Sequence, residues 1–330
     1  MSYAAAARES SAPTAGHRAA ERGRPPLARH QYLLHLLSAS LAVTLWGVSY
    51  AVIRVAVHEI PPLTLASLRF VLAAAVLWPA ARRRCRGERL APEDHWTTFG
   101  LGFLGVTLYF AFENWGLYFT TASHGSLIIA TIPLATALVE AIQRRTLPSA
   151  WLLGGLATAL VGIGLTVGSS GREATVLGDL LVLGAVFSWV GYTFLARHLS
   201  DRYSPLFITQ SALVVGAVTL APLAALELLH HPIRRIPSPL AWASVAYLGV
   251  FCSALCYLLW NAAIPVLGVT VSSNLLNATP LVGVLTGVVA LGEPFTATAA
   301  LGSALILGGV VVASRPPAAP READLAEEFR

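Results

Sequence analysis

Apolar residues run along this chain in blocks of about 20, the length that crosses a ~30 Å hydrocarbon core as a helix. The blocks fall near 34–57, 62–80, 97–119, 122–142, 150–168, 178–198, 205–227, 240–262, 268–290 and 296–314. The pattern predicts an all-α integral membrane protein of ten transmembrane helices. Pro61-Pro62, Pro148, Pro205 and Pro294 stand at or near span starts, where a missing N–H costs least. Pro133, Pro265 and Pro280 lie inside or beside later spans. They predict kinks or locally broken helices, tolerable only against protein or a wet cavity.

Composition agrees. Of 330 residues, 55% are hydrophobic and 12% charged, against roughly 25% charged in a soluble domain. The net charge is +5 and all 22 basic residues are Arg. They sit in short loops between apolar blocks, which suits an anionic leaflet and argues against nucleic acid. With the N-terminus inside, 17 Arg fall on cytoplasmic segments and four (Arg54, Arg172, Arg234, Arg235) outside. The positive-inside rule then predicts a multi-pass protein of the cell membrane with both termini cytoplasmic. Residues 1–31 and 315–330 read as polar cytoplasmic tails, the first disordered, and no removable signal peptide is expected. Cys252 and Cys256 share a face in an apolar run and read as structural thiols.

The chain repeats internally. Trp46, Arg54 and Pro62 recur as Trp189, Arg197 and Pro205 at an offset of 143. Leu104-Gly105-Val106 recurs as Leu248-Gly249-Val250 at 144. Asn114, Pro133, Gly155 and Gly162 recur as Asn261, Pro280, Gly302 and Gly309 at 147. The ordered matches divide the chain into two five-helix repeats, 32–170 and 171–314. Five is odd, so the second copy enters from the opposite side. Inverted repeats place a substrate site at their interface near mid-membrane and allow alternating access.

Residues 45–70 read LWGVSYAVIRVAVHEIPPLTLASLRF, and 274–314 read NLLNATPLVGVLTGVVALGEPFTATAALGSALILGGVVVAS. Trp-Gly, the double-Pro entry and Arg-Phe in the first stretch, with Pro, Gly-Glu, Leu-Gly and Gly-Gly in the second, resemble EamA-type drug/metabolite transporters. The resemblance covers about 34–314. It implies ten spans, a central cavity and export or exchange of amino acids or other metabolites. One departure stands out: Arg145-Thr146 occupies the first-copy position of Gly292-Glu293.

Only Arg69 and Glu113 fall well inside spans, each at roughly 10 Å depth from the outer end at ~1.5 Å per residue. Such charges face protein or water, so the two are expected to pair or to line the outer half of a cavity together. Glu113 is also the candidate for proton coupling. A polar-aromatic set joins them: Trp46, Ser49, Tyr50, Tyr109, Asn114, Trp115, Trp189, Tyr192, Tyr257, Trp260, Asn261, Asn274 and Asn277. Aromatic walls suit apolar or cationic solutes, and amides and hydroxyls orient them. An interfacial belt is the other reading for Trp115 and Trp260, and interhelical bonding for the asparagines.

Gly154, Gly155, Ala159, Gly162, Gly302, Gly308 and Gly309 predict close helix packing on spans 5 and 10, with a homodimer face as one use. His124 and the pair His230-His231 read as loop-end residues, and Gly168 to Gly171 as a turn. Two other classes compete. A membrane enzyme needs a nucleophile–base or metal set, and neither HExxH nor GxSxG occurs. A channel needs rings of charge along a pore, and these are missing. The expected function is therefore a non-enzymatic secondary transporter of small molecules in the bilayer, with no cofactor and no metal.

Overall fold

A computed structural model describes residues 29–143, 145, 147–168, 175–233, 235–276, 278–293 and 295–313. Most of both expected tails, the 168–171 turn beyond Gly168, and Asn277 lie outside the described residues. Every regular element described is helical.

The helices follow the apolar blocks: α1 (Arg29–Ala56), α2 (Pro62–Arg84), α3 (His95–Gly102), a π-helical segment (Phe103–Leu108), α4 (Tyr109–Phe119), α5 (Ala122–Ile129), α6 (Ile132–Gln143) and α7 (Ala150–Gly168). Then come α8 (Val176–Ser200), α9 (Pro205–His230), α10 (Pro239–Ala246), a second π-helical segment (Tyr247–Leu255), α11 (Cys256–Leu276), α12 (Thr279–Leu291) and α13 (Ala297–Ala313). Among the described residues, six helical stretches are long and apolar enough to cross a membrane, including 30–56, 62–84 and 205–230.

Starts are set by local chemistry. Pro occupies the first turn of α2, α9 and α10. The side chains of Thr121, Thr175, Ser204 and Ser238 accept N–H groups of the first turns of α5, α8, α9 and α10, satisfying donors that a helix start leaves free. α1 begins at Arg29, earlier than the sequence pattern suggested.

The second-copy proline pattern is corrected in one place. The sequence predicts a loop between spans ending at 262 and starting at 268, but α11 runs unbroken through Pro265. Instead, α11 ends at Leu276 and α12 starts at Thr279, one residue before Pro280, as α5 ends at Ile129 and α6 starts at Ile132, one residue before Pro133. Proline fits the first turn of a helix, where its missing N–H is not needed, and here the equivalent prolines stand second in equivalent helices. The π segments also recur: each contains one copy of the Leu-Gly-Val repeat.

Packing follows the repeat. α1 lies against α11 as its counterpart α8 lies against α4, and α2 packs on α9, α5 on α12, α7 on α13. The last pair is in backbone contact. A Cβ on Gly162 would stand 2.6 Å from the Gly302 carbonyl, and one on Gly309 would stand 2.5 Å from that of Gly155. The small faces expected on spans 5 and 10 thus meet within one chain, while Gly154, Gly164 and Gly308 face open space.

Gly292 adopts φ +65° and ends α12, and its first-copy counterpart Arg145 is held at φ 54°. A side chain in this region costs ~1 kcal/mol. Arg145→Gly is therefore expected to stabilise the protein by ~1 kcal/mol, read as a higher melting temperature in detergent.

Candidate functional site

Two adjoining cavities lie within the bundle, the first where α1, α2, α4, α8 and α11 converge and the second between α6, α8, α9 and α11. The first, about 40 Å³, is lined by Trp46, Ser49, Tyr50, Arg69, Tyr109, Glu113 and Trp189 from the sequence set. Tyr257, also of that set, joins Phe110, Ile129 and Thr279 in its wall. The second, about 70 Å³, holds Tyr192, Trp260 and Asn261 with Thr193, Arg197 and Tyr203. Ile132, Trp189 and Leu276 wall both.

Arg69 is 1% exposed and Glu113 3%. The Arg69 Nε donates to Ser253 Oγ at 2.9 Å. Its guanidinium lies over Phe110 at 4.5 Å and Phe70 at 5.2 Å, where ring faces offset part of its desolvation. One terminal nitrogen, Nη1, has no hydrogen-bond partner. Glu113 accepts the Tyr109 hydroxyl at 2.9 Å. The two charges make no direct ion pair. Of the two arrangements expected from sequence, the structure has them line one cavity together.

The aromatic wall is held by the π segments. A π turn disturbs the i→i−4 ladder and leaves carbonyls to be satisfied elsewhere. The Trp46 indole N–H donates to the Cys252 carbonyl at 2.9 Å, and the Tyr257 hydroxyl to the Gly105 carbonyl at 3.1 Å. Ser188 takes the Leu104 carbonyl at 2.7 Å. Each bond joins a residue of one repeat to the π segment of the other or to its neighbour. Around this frame Trp46 meets Trp189, Tyr257 and Trp260 edge-on at 6.0, 5.9 and 5.4 Å, and Trp189 meets Tyr109 at 5.2 Å.

Some sequence candidates stand elsewhere. Asn114 lines neither cavity; its Nδ2 donates to the Pro62 carbonyl at 2.9 Å, tying α4 to the start of α2. Asn261 bonds Thr209 Oγ1 at 2.7 Å and receives the Tyr192 hydroxyl at 3.3 Å, so it ties helices and faces a cavity at once. Asn274 is part of α11, with nothing described of its side chain. Trp260 is 5% exposed and belongs to the core. Trp115 stacks on Phe119 at 5.7 Å beside the 230–238 loop.

Three buried carboxylates carry more of the architecture than the sequence pattern indicates. Glu227 accepts the N–H groups of Leu63 and Thr64 at 3.0 and 2.8 Å, and the Thr64 hydroxyl at 3.0 Å. Glu293, read from sequence only as a motif residue, accepts Ala122 N–H at 2.8 Å, Ser123 N–H at 3.0 Å and Ser123 Oγ at 2.5 Å. Both cap the start of a distant helix, where unpaired N–H groups and the helix dipole favour negative charge. Asp179 accepts the Thr120 hydroxyl at 2.6 Å and lies 3.4 Å from His124 Nδ1. His124 is therefore buried against a carboxylate, not a solvated loop-end residue. A helical hydrophobicity pattern carries no sign of such long-range partners; only the position of Glu227 and Glu293 at the ends of apolar blocks hints at them.

Loops clasp one another at the helix ends. Glu59 accepts the N–H and hydroxyl of Ser238 at 2.7 and 2.8 Å, and these bonds hold its carboxyl below the usual range. Asp94 accepts Tyr203 Oη at 2.8 Å and Arg202 Nη1 at 3.1 Å, which likewise lower its pKa. A lowered folded-state pKa contributes stability that is present above the ordinary value of ~4 and is lost as pH falls through the lowered one. Thermal unfolding is expected to move to lower temperature under acid conditions, less so in Asp94→Asn.

The comparisons with known proteins agree with this architecture. A solved crystal structure, 22% identical, shares the fold at a TM-score of 0.59, covering 85% of this chain and 98% of that one. An uncharacterized transporter of Archaeoglobus fulgidus is 29% identical over 277 residues, covering 84% of this chain and 97% of its own. A probable terminal-alkyne amino-acid exporter of Streptantibioticus cattleyicolor is 29% identical over 286 residues, covering 83% and 91%. A probable amino-acid metabolite efflux pump of Salmonella typhimurium is 27% identical over 295 residues, covering 83% and 92%. The model of the EamA-like transporter family matches twice, over residues 33–168 and 176–315, and the chain, a membrane transporter by this kinship, belongs to that family.

Proposed function

We propose that the chain is a secondary carrier that exports amino acids or related metabolites by alternating access. In this reading ten spans form two inverted five-helix repeats with both termini cytoplasmic. The observation that carries it is the first cavity: two buried, opposite charges that do not touch, enclosed by aromatic rings from both repeats. A zwitterion bridging them would place its carboxylate against Arg69 and its ammonium against Glu113. Each charge then meets an opposite charge, which offsets desolvation. Relatives named as amino-acid exporters support the substrate class.

The expectation is saturable counterflow of amino acids by the purified protein in liposomes. Flux that rises linearly with concentration would indicate a pore, and product formation an enzyme. Topology has its own test. Single cysteines placed at Arg172 and Arg235 should react with an impermeant maleimide on intact cells. Cys85, at the Arg-rich end of α2, should react only after permeabilisation. The reverse labelling would overturn the orientation.

A further inference from the structure

We propose that a groove on the outside of the helix bundle, between α2, α3 and α9, is a binding site for an anionic phospholipid. It lies far from the transport cavities in function and shares no lining residue with them. The groove has about 400 Å³ of free space. Its walls are apolar and come from Trp78, Leu90, Phe207 and Val214, and Arg82 stands at its end.

Two side chains in the wall have unmet bonding capacity. Thr98 is 5% exposed and Gln210 7%. Thr98 Oγ1 and Gln210 Oε1 have no hydrogen-bond partner, although Gln210 Nε2 donates to the Ala74 carbonyl at 3.2 Å. A buried polar atom left unpaired costs free energy, so an apolar chain alone is a poor occupant. Thr98 has a hydroxyl to donate to a phosphate, and Gln210 Oε1 needs a donor such as a glycerol hydroxyl. Gln210 lies five residues into α9 and Arg82 two before the end of α2. At ~1.5 Å per residue both sit within about 8 Å of a helix end, the depth of a headgroup and its ester region.

Charge selects the class of lipid. Arg82 lies over the Trp78 ring at 5.7 Å, and Arg83, Arg84, Arg86 and Arg89 follow it, all exposed. Trp78, half exposed, is placed as an interfacial aromatic,. A basic cluster beside a membrane-facing groove attracts anionic headgroups. The occupant is thus a phospholipid with its acyl chain along Val214 and Val215, deeper in α9 than Gln210, its phosphate on Arg82 and a hydroxylated headgroup toward Gln210.

The test uses the full-length protein in detergent with dioleoylphosphatidylglycerol and dioleoylphosphatidylcholine as probes, bound lipid being counted by native mass spectrometry. The glycerol lipid should bind about fivefold more tightly, the worth of one cationic contact near the surface. Arg82→Gln and Gln210→Leu should each remove that preference, while Arg89→Gln, outside the groove, keeps it. Quenching of Trp78 by brominated phosphatidylglycerol, taken as the difference from Trp78→Phe, locates the lipid with the groove's polar residues left intact. Equal affinity for the two lipids overturns the proposal. So does an Arg89→Gln loss as large as that of Arg82→Gln, which means diffuse attraction, or the absence of Trp78 quenching.

Discussion

Arg69→Gln abolishes amino-acid counterflow in proteoliposomes while the protein still reaches the membrane; this is the largest functional effect expected. A hydrogen bond to a charged group contributes ~1.5–3 kcal/mol, so its loss lowers substrate affinity by about 10- to 150-fold. Arg69→Lys recovers only part of this. An ammonium keeps the charge but lacks the planar fork that reaches Ser253 and the cavity together. Glu113→Gln is expected to impair transport and to remove any pH gradient dependence. Each single variant also leaves one buried charge without its neighbour, which costs stability although the two do not touch. The double variant Arg69→Gln/Glu113→Gln should therefore regain part of the lost melting temperature without regaining transport. If Arg69→Gln transports at the wild-type rate, the cavity is not the substrate site. If the double variant is no more stable than the worse single one, the two charges do not feel each other across it.

The largest effect on stability is expected at Glu293. Its carboxylate satisfies two N–H groups and one hydroxyl at the start of α5. Glu293→Ala leaves these donors buried and unpaired, each costing ~1–3 kcal/mol. Glu293→Gln keeps one accepting oxygen and should lose about half as much. An independent route reaches the same contact. A Cβ at Gly287 would fall 2.6 Å from Ser123 Oγ and against the Glu293 carboxylate, so Gly287→Ala should displace the cap and melt early. Glu227→Ala, which uncaps the start of α2 from α9, should come close to Glu293→Ala. Thermal unfolding in detergent decides: a melting temperature unmoved by Glu293→Ala means the cap is replaceable by water. The Gly-Glu pair then has a structural reading, with Gly292 ending α12 in the left-handed region and Glu293 crossing to another helix. In the first copy Arg145 also takes the left-handed backbone, while Thr146, which has no carboxylate, stands where Glu293 does, so only one half of the pair recurs.

Much of the helical layout was legible in the chain, because hydrocarbon thickness dictates block length and proline dictates where helices start and break. Pro133 and Pro280 foretold the interruptions ahead of α6 and α12. Pro265 did not behave so, because helix continuity there depends on neighbours that no local pattern contains. Burial was legible too for Arg69, Glu113 and the aromatic set, since charge and amide groups inside apolar blocks have few other uses.

What the sequence by itself determined is the membrane class, the approximate spans, the duplication and the short roll of polar residues inside them. These depend on spacing along the chain and on the cost of polar groups in hydrocarbon. What only the tertiary structure decided is which residues meet. It made Arg69 and Glu113 cavity neighbours and not an ion pair, turned Asn114 into a tie between helices, and joined Glu227 and Glu293 to helix starts more than 160 residues away. It also formed the π segments whose carbonyls hold Trp46 and Tyr257. Such contacts come from the angle and register at which helices pack, and side chains far apart in sequence set these jointly. The physical reason for the division is therefore one of range: local hydrophobicity fixes where a helix runs, and only packing fixes what it faces.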